Sequence, residues 1–430
     1  MSPHARWRWV ALAMFGMLML TATEALAQGG TIDTGDTAWV LTSSALVMAM
    51  TLPGLALFYG GLVRNKNVLG TIMHCVIILC VISLVWVLWG YSLAFGPDKG
   101  GVIGGLEWLG LNGVGVEPSD YASTIPHLVF MVFQLMFAAI TVALIIGAFA
   151  ERMKFTALLL FAVLWSTLIY SPLAHWIWGG GWLGKMGALD FAGGAVVHIS
   201  CGFGALACAL VLGKRKGYGT ENILPHNLPM TVLGAGLLWF GWFGFNAGSA
   251  LGANEVAAGA FVATHIAAAA AAMSWMVAEW MHRGKPTMLG VASGIIAGLA
   301  TITPAAGFVT PLPAILIGLV AGVVCYMAVV WKNRLGYDDS LDVVGIHGVG
   351  GIIGILAVGL FASVGATGLF YGNPAQFGIQ AVTVVVTVVF CFVGTYIILK
   401  VVDLLVGLRV TSEDEELGLD LSQHNERAYS

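Results

Sequence analysis

Long apolar stretches separated by short polar segments dominate this chain. Beyond an N-terminal run, eleven stretches of mostly hydrophobic residues occupy positions 38–63, 68–95, 126–149, 155–178, 187–213, 228–248, 254–281, 287–303, 311–332, 343–366 and 377–407. About 20 apolar residues suffice for an α-helix to cross the hydrocarbon core of a bilayer. A helix also satisfies its own backbone hydrogen bonds in lipid. The pattern therefore predicts an all-α polytopic membrane protein with eleven transmembrane helices.

Composition supports this class and excludes others. Of the 430 residues, 59% are hydrophobic and only 9% are charged, whereas soluble domains carry about 25% charged residues. The 58 glycines suit close helix–helix contact. No basic patch suggests a nucleic-acid partner. The six cysteines are scattered through apolar runs and are interpreted as small buried hydrophobes, so no metal or other cofactor is expected.

The N-terminus has the features of a secretory signal peptide. Arg6 and Arg8 precede an apolar run at 9–20, and Ala25-Leu26-Ala27 supplies small residues at a cleavage position. The alternative is a first membrane helix, but the run is short for one. We predict a signal peptide at 1–27, which places the mature N-terminus outside the membrane of a bacterial envelope.

An outside start fixes which loops face the cytoplasm, and the basic residues test that assignment. Outside loops hold only Lys99 and Lys185. The predicted inside segments hold the fourteen other basic residues beyond the N-terminal run, which are Arg64, Lys66, Arg152, Lys154, Lys214, Arg215, Lys216, Arg283, Lys285, Lys332, Arg334, Lys400, Arg409 and Arg427. This bias favours eleven spans and a cytoplasmic C-terminus.

Two histidines share one local pattern, D-x7-H-x3-G. It runs from Asp190 through His198 in the fifth apolar stretch and from Asp339 through His347 in the tenth. Five spans per repeat is an odd number, so the second repeat is inserted upside down, as in many transporters. The prediction is an inverted 5+5 repeat plus a final helix, with His198 and His347 meeting near the midplane.

The chemistry of these residues suits conduction of a small polar species. Imidazole donates, accepts and relays protons near neutral pH, and adjacent imidazoles titrate as a coupled pair. Asp190 opens its span, where capping of the helix N-terminus is favoured over direct cation binding. Ionisable groups in membrane spans are costly and usually functional. The remaining membrane histidines are interpreted as hydrogen-bonded packing residues, which are His74, His127, His175 and His265.

Several strings together resemble the ammonium transporter family (Amt, Mep and Rh proteins), in its bacterial Amt branch. They are PGLALFYGG at 53–61, WGGG at 178–181, DFAGG at 190–194, GWFGFNAGS at 241–249, GIHGV at 345–349 and GLD at 418–420. The likeness covers nearly the whole mature chain. It implies a homotrimer with one pore per subunit, a membrane domain at 28–408 and a location in the bacterial inner membrane.

The resemblance also implies roles for residues at the outer mouth. Trp178, Phe137 and Ser249 resemble the outer ammonium site, with the aromatic faces offering cation–π contact and the hydroxyl accepting a hydrogen bond. Phe137 and Phe245 resemble the stacked gate below. Asp190 resembles the acid that supports the outer vestibule without contacting substrate. The pair of Trp178 and Ser249 favours the Amt branch over the Rh branch.

Deeper in the pore, His198 and His347 resemble the twin histidines, and Trp242 and Thr303 match lumen-lining or vestibule positions. The implied mechanism is capture of ammonium, deprotonation near the gate and passage of ammonia, with a proton path along the histidines. A passive gas channel for ammonia and a sensor of ammonium remain as alternatives. A membrane-embedded enzyme is disfavoured, because the candidate residues are too few and too apolar.

The segment 409–430 is charged and polar. On composition alone it is either a disordered tail or a regulatory segment on the cytoplasmic face. The resemblance implies regulation by the trimeric PII signalling protein, which would plug the cytoplasmic mouth of the pore. The expected partners are therefore ammonium, two further copies of this chain, membrane lipid and PII.

Overall fold

The computed structural model describes residues 31–429, and α-helices account for most of that length. The signal peptide predicted at 1–27 lies outside the described residues. The long helices are α1 (Thr34–Leu62), α2 (Asn65–Phe95), α3 (His127–Phe149), α4 (Phe155–Met186, interrupted at 178–181), α5 (Gly194–Leu212), α6 (Leu228–Gly248), α7 (Glu255–Arg283), α8 (Met288–Ile302), α9 (Pro311–Leu335), α10 (Val344–Phe361) and α11 (Pro374–Val406).

Short elements complete the described chain. The loop after α2 holds a two-stranded antiparallel hairpin, β1 (Asp98–Lys99) and β2 (Ile103–Gly104), and a 3₁₀ turn (Leu109–Leu111). A second 3₁₀ turn (Leu369–Tyr371) precedes α11. Two short helices form the tail, α12 (Ser412–Leu417) and α13 (Leu419–His424).

Ten of these helices are long and apolar enough to cross a membrane. The exception is α8, which has 15 residues. At 1.5 Å per residue it reaches only about 22 Å, less than the ~30 Å of a typical hydrocarbon core. The eighth stretch thus forms an apolar helix where the sequence predicts one, and the count of eleven crossings stays a prediction.

Small residues set how closely the helices approach. A Cβ atom on Gly318 of α9 would lie 2.4 Å from the carbonyl oxygen of Ala267 on α7, and one on Gly322 would lie 2.3 Å from that of Ala271. Only glycine allows the two backbones to come this near. The same reasoning applies at the centre, where a Cβ on Gly202 of α5 would meet the Cα of Gly348 on α10 at 2.3 Å.

The two repeated motifs adopt matching local structures. The first turns of α5 and α10 are π-helical, over Gly194–Ile199 and Val344–Gly348, and each carries its motif's histidine. Asp190 accepts a hydrogen bond from the backbone N–H five residues later, and Asp339 does the same. Single π-helical turns are frequent at functional sites. The shared geometry agrees with the internal repeat that the sequence predicts.

One end of the bundle, here called the basic end, is formed by the loops at 63–64, 150–154, 213–227 and 336–343. Glu151, 1% exposed, pairs with Arg64 and Arg215, and Arg215 also pairs with Asp338. Burial alone would raise the pKa of the Glu151 and Asp338 carboxyls. The neighbouring guanidinium groups outweigh it and hold both pKa values below their ordinary range. Arg152, fully buried, donates to four carbonyl oxygens and to the Ser340 hydroxyl.

The tail packs on this basic end. Glu415, 2% exposed, accepts from the Arg409 guanidinium and from the backbone N–H of Lys216. Asp420 accepts from the backbone N–H of Gly70 at 2.8 Å, and Asn67 accepts from that of Leu419 at 2.8 Å. The described part of the tail is therefore folded against its own chain, which overturns the disordered alternative.

Candidate functional site

Three aromatic rings meet at the end of the bundle opposite the basic end. Phe137 of α3 stacks on Phe245 of α6, with ring centroids 4.2 Å apart and planes 27° apart. Trp178 packs edge-on against Phe137, with ring centroids 6.0 Å apart. Phe133, one helical turn earlier, packs on Phe137 with ring centroids 4.9 Å apart. Phe245 in turn approaches the His198 ring, with centroids 6.1 Å apart, while the tryptophan contacts Phe137.

Ser249 lies at the C-terminal end of α6, one turn beyond Phe245. Its hydroxyl donates to the Phe245 carbonyl oxygen at 2.8 Å. Because the only hydroxyl proton is used in this way, the oxygen lone pairs remain as acceptors. The preceding Gly248 leaves no room for a side chain, since a Cβ there would meet the Phe133 ring at 2.9 Å. This hydroxyl can therefore accept from a hydrogen-bond-donating cation.

Asp190 is buried, and among the described residues 31–429 its carboxylate bonds to backbone groups alone. One carboxylate oxygen accepts from the N–H groups of Gly193 and Gly194, and the other from those of Ala195 and Val196. Its own carbonyl oxygen accepts from the Trp178 indole at 2.8 Å. The acid thus caps α5 and, through its backbone, orients the tryptophan beside the phenylalanine stack.

The two motif histidines are in direct contact. His198 and His347 are 1% and 4% exposed, and their Nδ1 atoms lie 3.2 Å apart. The rings are nearly parallel, with centroids 5.2 Å apart. Two imidazole nitrogens at this distance share one proton, because one must donate while the other accepts. The Nε2 atom of His198 has no hydrogen-bond partner within residues 31–429.

Trp242 and Thr303 extend this site along one wall. The Trp242 ring stacks on His198 with centroids 5.5 Å apart. Its indole N–H donates to the Thr303 hydroxyl at 2.9 Å, and that hydroxyl donates to the Leu299 carbonyl oxygen. The threonine therefore fixes the tryptophan, and the tryptophan in turn covers one face of the histidine.

A narrow cavity passes the histidines. It leaves only about 10 Å³ for the centre of a water-sized molecule, roughly the minimum that holds one water. Its wall is apolar apart from the two histidines, the Trp242 indole and one tyrosine. The lining residues are Met50, Leu55, Phe58, Tyr59, Ile140, Leu144, Val197, His198, Leu238, Trp242, Phe245, Ile296 and His347.

Sequence reasoning missed two polar neighbours of the pair. Tyr59 lines the cavity, and its hydroxyl donates to the Leu144 carbonyl oxygen at 2.9 Å. Cys201 lies near both histidines, so that one ligating atom from each of the three residues falls within 4.8 Å of the others. The spacing of three between His198 and Cys201 is the signal that could have pointed to it, since such residues share a helix face.

The other membrane histidines lie away from this cavity. His175 is held between the Ala94 carbonyl oxygen and the Asp98 carboxylate, each at 2.9 Å. His127 bonds to the hydroxyl of Tyr91. His265 stacks on Trp239, with ring centroids 5.2 Å apart. His74 packs on Phe155 beneath the tail, with ring centroids 6.0 Å apart.

A helical bundle with ten potential membrane spans encloses a narrow, largely apolar cavity and a buried histidine pair. This combination defines a membrane channel or transporter for a small polar species. Residues 38–429 match the model of the Ammonium Transporter Family. The ammonium transporter of Bacillus subtilis is 56% identical over 401 residues, covering 92% of this chain and 98% of the relative. The chain belongs to the ammonium transporter family.

Solved structures agree with that placement. The crystal structure of Candida albicans Mep2 has a TM-score of 0.85 and 38% sequence identity, covering 93% of this chain and 91% of that one. A structure titled Sensor Amt Protein has a TM-score of 0.85 and 31% identity, covering 91% and 98%. The predicted polytopic helical fold and the family resemblance are confirmed, and the chain is a transporter or channel, as expected, and not an enzyme.

Proposed function

We propose that this protein takes up ammonium across a bacterial inner membrane, with its N-terminus periplasmic and its tail cytoplasmic. The observation that carries the proposal is the contact between His198 and His347 in a cavity too small for a hydrated ion. A hydrated cation cannot pass such a space intact. A neutral molecule the size of water can.

Capture takes place at the outer mouth, beside Phe137, Trp178 and Ser249. A cation over an aromatic face gains about 0.5–2 kcal/mol, more when partly dehydrated. The lone pairs of the Ser249 hydroxyl accept one N–H of ammonium. Potassium has a similar size but no N–H to donate, so this oxygen favours ammonium.

Deprotonation near the phenylalanine stack then separates ammonium from potassium. Moving an ammonium-sized ion from water into a medium of low dielectric costs on the order of 20 kcal/mol in the idealised limit. A neutral polar molecule that lacks hydrogen bonds costs only ~2–7 kcal/mol. Ammonium escapes the larger cost by losing its proton, whereas potassium has none to lose. The dry lumen therefore acts as the selectivity barrier.

The proton follows a separate path along the histidine pair. The pair shares one proton between its Nδ1 atoms, so a proton delivered to one ring releases one from the other. Transport on this scheme moves ammonia and a proton together and carries net charge. In a passive gas channel, the competing scheme, ammonia crosses alone and no current flows.

The test replaces His198 by alanine in proteoliposomes and measures the current evoked by an ammonium pulse. The relay requires that His198→Ala lose most of the current, while ammonia permeability is measured separately from the change of internal pH. A matched control is His282→Ala, since His282 bonds to Tyr326 at the end of α7, away from the lumen. An unchanged ammonium current in His198→Ala would show that the relay is wrong.

The same proposal includes a homotrimer and a PII partner at the tail. In support of the PII partner, the tail is folded on the basic end, where Lys66 donates to the Glu415 carbonyl oxygen. A soluble regulator seated there would contact the tail and the pore mouth together. Nitrogen-dependent co-purification of PII with the full chain is expected, and it should fail in Glu415→Gln if the folded tail forms the docking surface. Co-purification that is independent of both would contradict this part.

A sensor is the second candidate, because one structural neighbour is titled Sensor Amt Protein. The sensor hypothesis and the transport hypothesis differ in how many ammonium ions each subunit moves. A transporter moves many ammonium ions per subunit, whereas a sensor needs only to bind. Sustained ammonium-evoked current in purified protein therefore decides for transport.

A further inference from the structure

Cys201 stands out among the six cysteines because it lies next to the histidine pair. It is fully buried on α5, and its Sγ atom falls within 4.8 Å of a ring nitrogen of His198 and of His347. The two histidines already present Nδ1 atoms 3.2 Å apart. None of the steps proposed for ammonium uses this thiol.

Two imidazole nitrogens and a thiol make a small set of soft ligands. Metal–nitrogen bonds of ~2.0 Å and metal–sulfur bonds of ~2.3 Å place ligand atoms about 3.5–4.3 Å apart around a three- or two-coordinate ion. The three ligand atoms already lie within 4.8 Å of one another, and binding of an ion would replace the hydrogen bond that the Cys201 thiol donates to the His198 carbonyl oxygen at 3.5 Å. Thiolate ligands select soft ions such as Cu(I).

Charge balance selects a monovalent ion over a divalent one. Binding of Cu(I) or Ag(I) forms one metal–sulfur bond and releases the thiol proton to water, while each imidazole coordinates through a lone pair and stays neutral. The net charge of the buried site is then zero before and after binding. Zn(II) would leave one uncompensated positive charge in apolar surroundings, which is costly, and it also prefers four ligands.

We propose that His198, Cys201 and His347 form a binding site for a soft monovalent metal ion, Cu(I), and that occupancy blocks the pore. The ion would be held by ring nitrogens of the two histidines along which the proton path is proposed to run. The cavity beside them leaves only about 10 Å³, so an ion there also obstructs ammonia. Unlike potassium, a soft monovalent ion offsets its lost hydration with a metal–sulfur bond, so such metals should bind in the lumen and inhibit an ammonium transporter. This inhibition rests on the proposed transport, but ion binding does not.

The experiment uses Ag(I) as the probe, in chloride-free buffer, with purified full-length protein. Binding is measured as bound silver per subunit by native mass spectrometry, and inhibition as loss of the ammonium-evoked current in proteoliposomes. We expect one tightly bound silver per subunit and loss of the current. Silver X-ray absorption should report both sulfur and nitrogen neighbours.

The cysteines supply matched controls. Cys201→Ala should keep its basal current and require at least tenfold more Ag(I) for inhibition, with Cys201→Ser as a second variant if alanine disturbs packing. Cys208→Ala removes an equally buried thiol of α5, and Cys80→Ala removes the exposed one. Both control variants should bind and respond as the original chain does.

Several results would overturn the site. They are absence of bound silver in the original chain, equal binding and inhibition in the Cys201 variants, and loss of inhibition in Cys80→Ala. Zn(II) inhibiting at the same concentration would overturn the preference for a monovalent ion. Silver bound through Cys201 without any ammonium current in the original chain would uphold the metal site and instead refute the proposed transport.

Discussion

The two motif aspartates predict unequal consequences of one substitution. Asp190 accepts four backbone N–H bonds with its two oxygens. Asp339, in the equivalent position, accepts one, from Val344, and its second oxygen has no partner within residues 31–429. Replacing Asp190 by alanine therefore leaves four buried backbone N–H groups without an acceptor, whereas replacing Asp339 leaves one.

The magnitudes follow from these counts. A buried donor left without an acceptor costs about 1–3 kcal/mol, so Asp190→Ala should destabilise the fold by at least ~4 kcal/mol even if water satisfies part of the loss. Asp339→Ala should cost about 1–3 kcal/mol. Part of that loss is offset, because the substitution also removes a buried carboxyl whose pKa burial raises to about 6.

The assay is the apparent melting temperature of the purified protein in one detergent, together with the yield of folded protein. Asp190→Ala should melt well below Asp339→Ala, and Asp190→Asn should fall between Asp190→Ala and the original chain. Equal melting temperatures for the two alanine variants would refute the reasoning. A lower melting temperature for Asp339→Ala would refute it equally.

Further predictions concern the mouth, the gate and the basic end. Ser249→Ala removes one acceptor and should weaken apparent ammonium affinity about tenfold, with little change in maximal current; an unchanged half-saturating concentration would contradict the assigned role. Phe245→Ala opens the stack but leaves the apolar lumen at the histidines in place, so potassium should still be excluded, and a potassium current in this variant would show that the stack and not the lumen is the barrier. Arg215→Gln leaves Asp338 buried without its cation and should cost ~3–5 kcal/mol, visible as a large fall in melting temperature; a change of a degree or less would contradict this. The pKa of Asp338 is depressed, so its stabilisation is present at neutral pH and lost as pH falls through its folded pKa, and Asp338→Asn should flatten that loss in melting curves against pH.

Neighbouring Asp339 should respond to pH in the opposite direction. Its pKa is raised from 3.8 to about 6, chiefly by burial, so the folded chain holds a proton that the unfolded chain has lost. The contribution of protonated Asp339 to the free energy of unfolding is largest below about pH 4 and is lost as pH rises through about 6. Asp339→Asn should abolish this loss, and the same decline between about pH 4 and pH 6 in the variant would contradict the assignment.

Hydropathy located the helices well because the bilayer imposes both length and apolarity. The eighth stretch also forms a helix, α8, but hydropathy does not decide whether it crosses the membrane, since a short apolar helix packed among others carries the same signal as a spanning one. The D-x7-H repeat predicted that His198 and His347 would meet, because an internal repeat converts sequence equivalence into spatial symmetry. That inference needed no side-chain detail.

The rest of the site lay beyond pattern reasoning for physical reasons. Leu144, Ile296 and Leu238 line the cavity, yet an apolar residue facing a dry lumen cannot be told from one facing lipid or another helix. The tail's acidic run suggested disorder on composition. It folds because the Glu415 carboxylate accepts from the Arg409 guanidinium and from the backbone N–H of Lys216 on a distant loop. Only the tertiary structure brings these groups together.

The central claim is that ammonium loses its proton at the mouth and that ammonia and the proton then cross together. The most direct test is the current recorded from proteoliposomes on a solid-supported membrane after an ammonium pulse, with potassium as the control. A saturable current with ammonium and none with potassium is the expected result. No current, in vesicles shown to pass ammonia, would contradict the claim and leave a passive gas channel without a histidine relay.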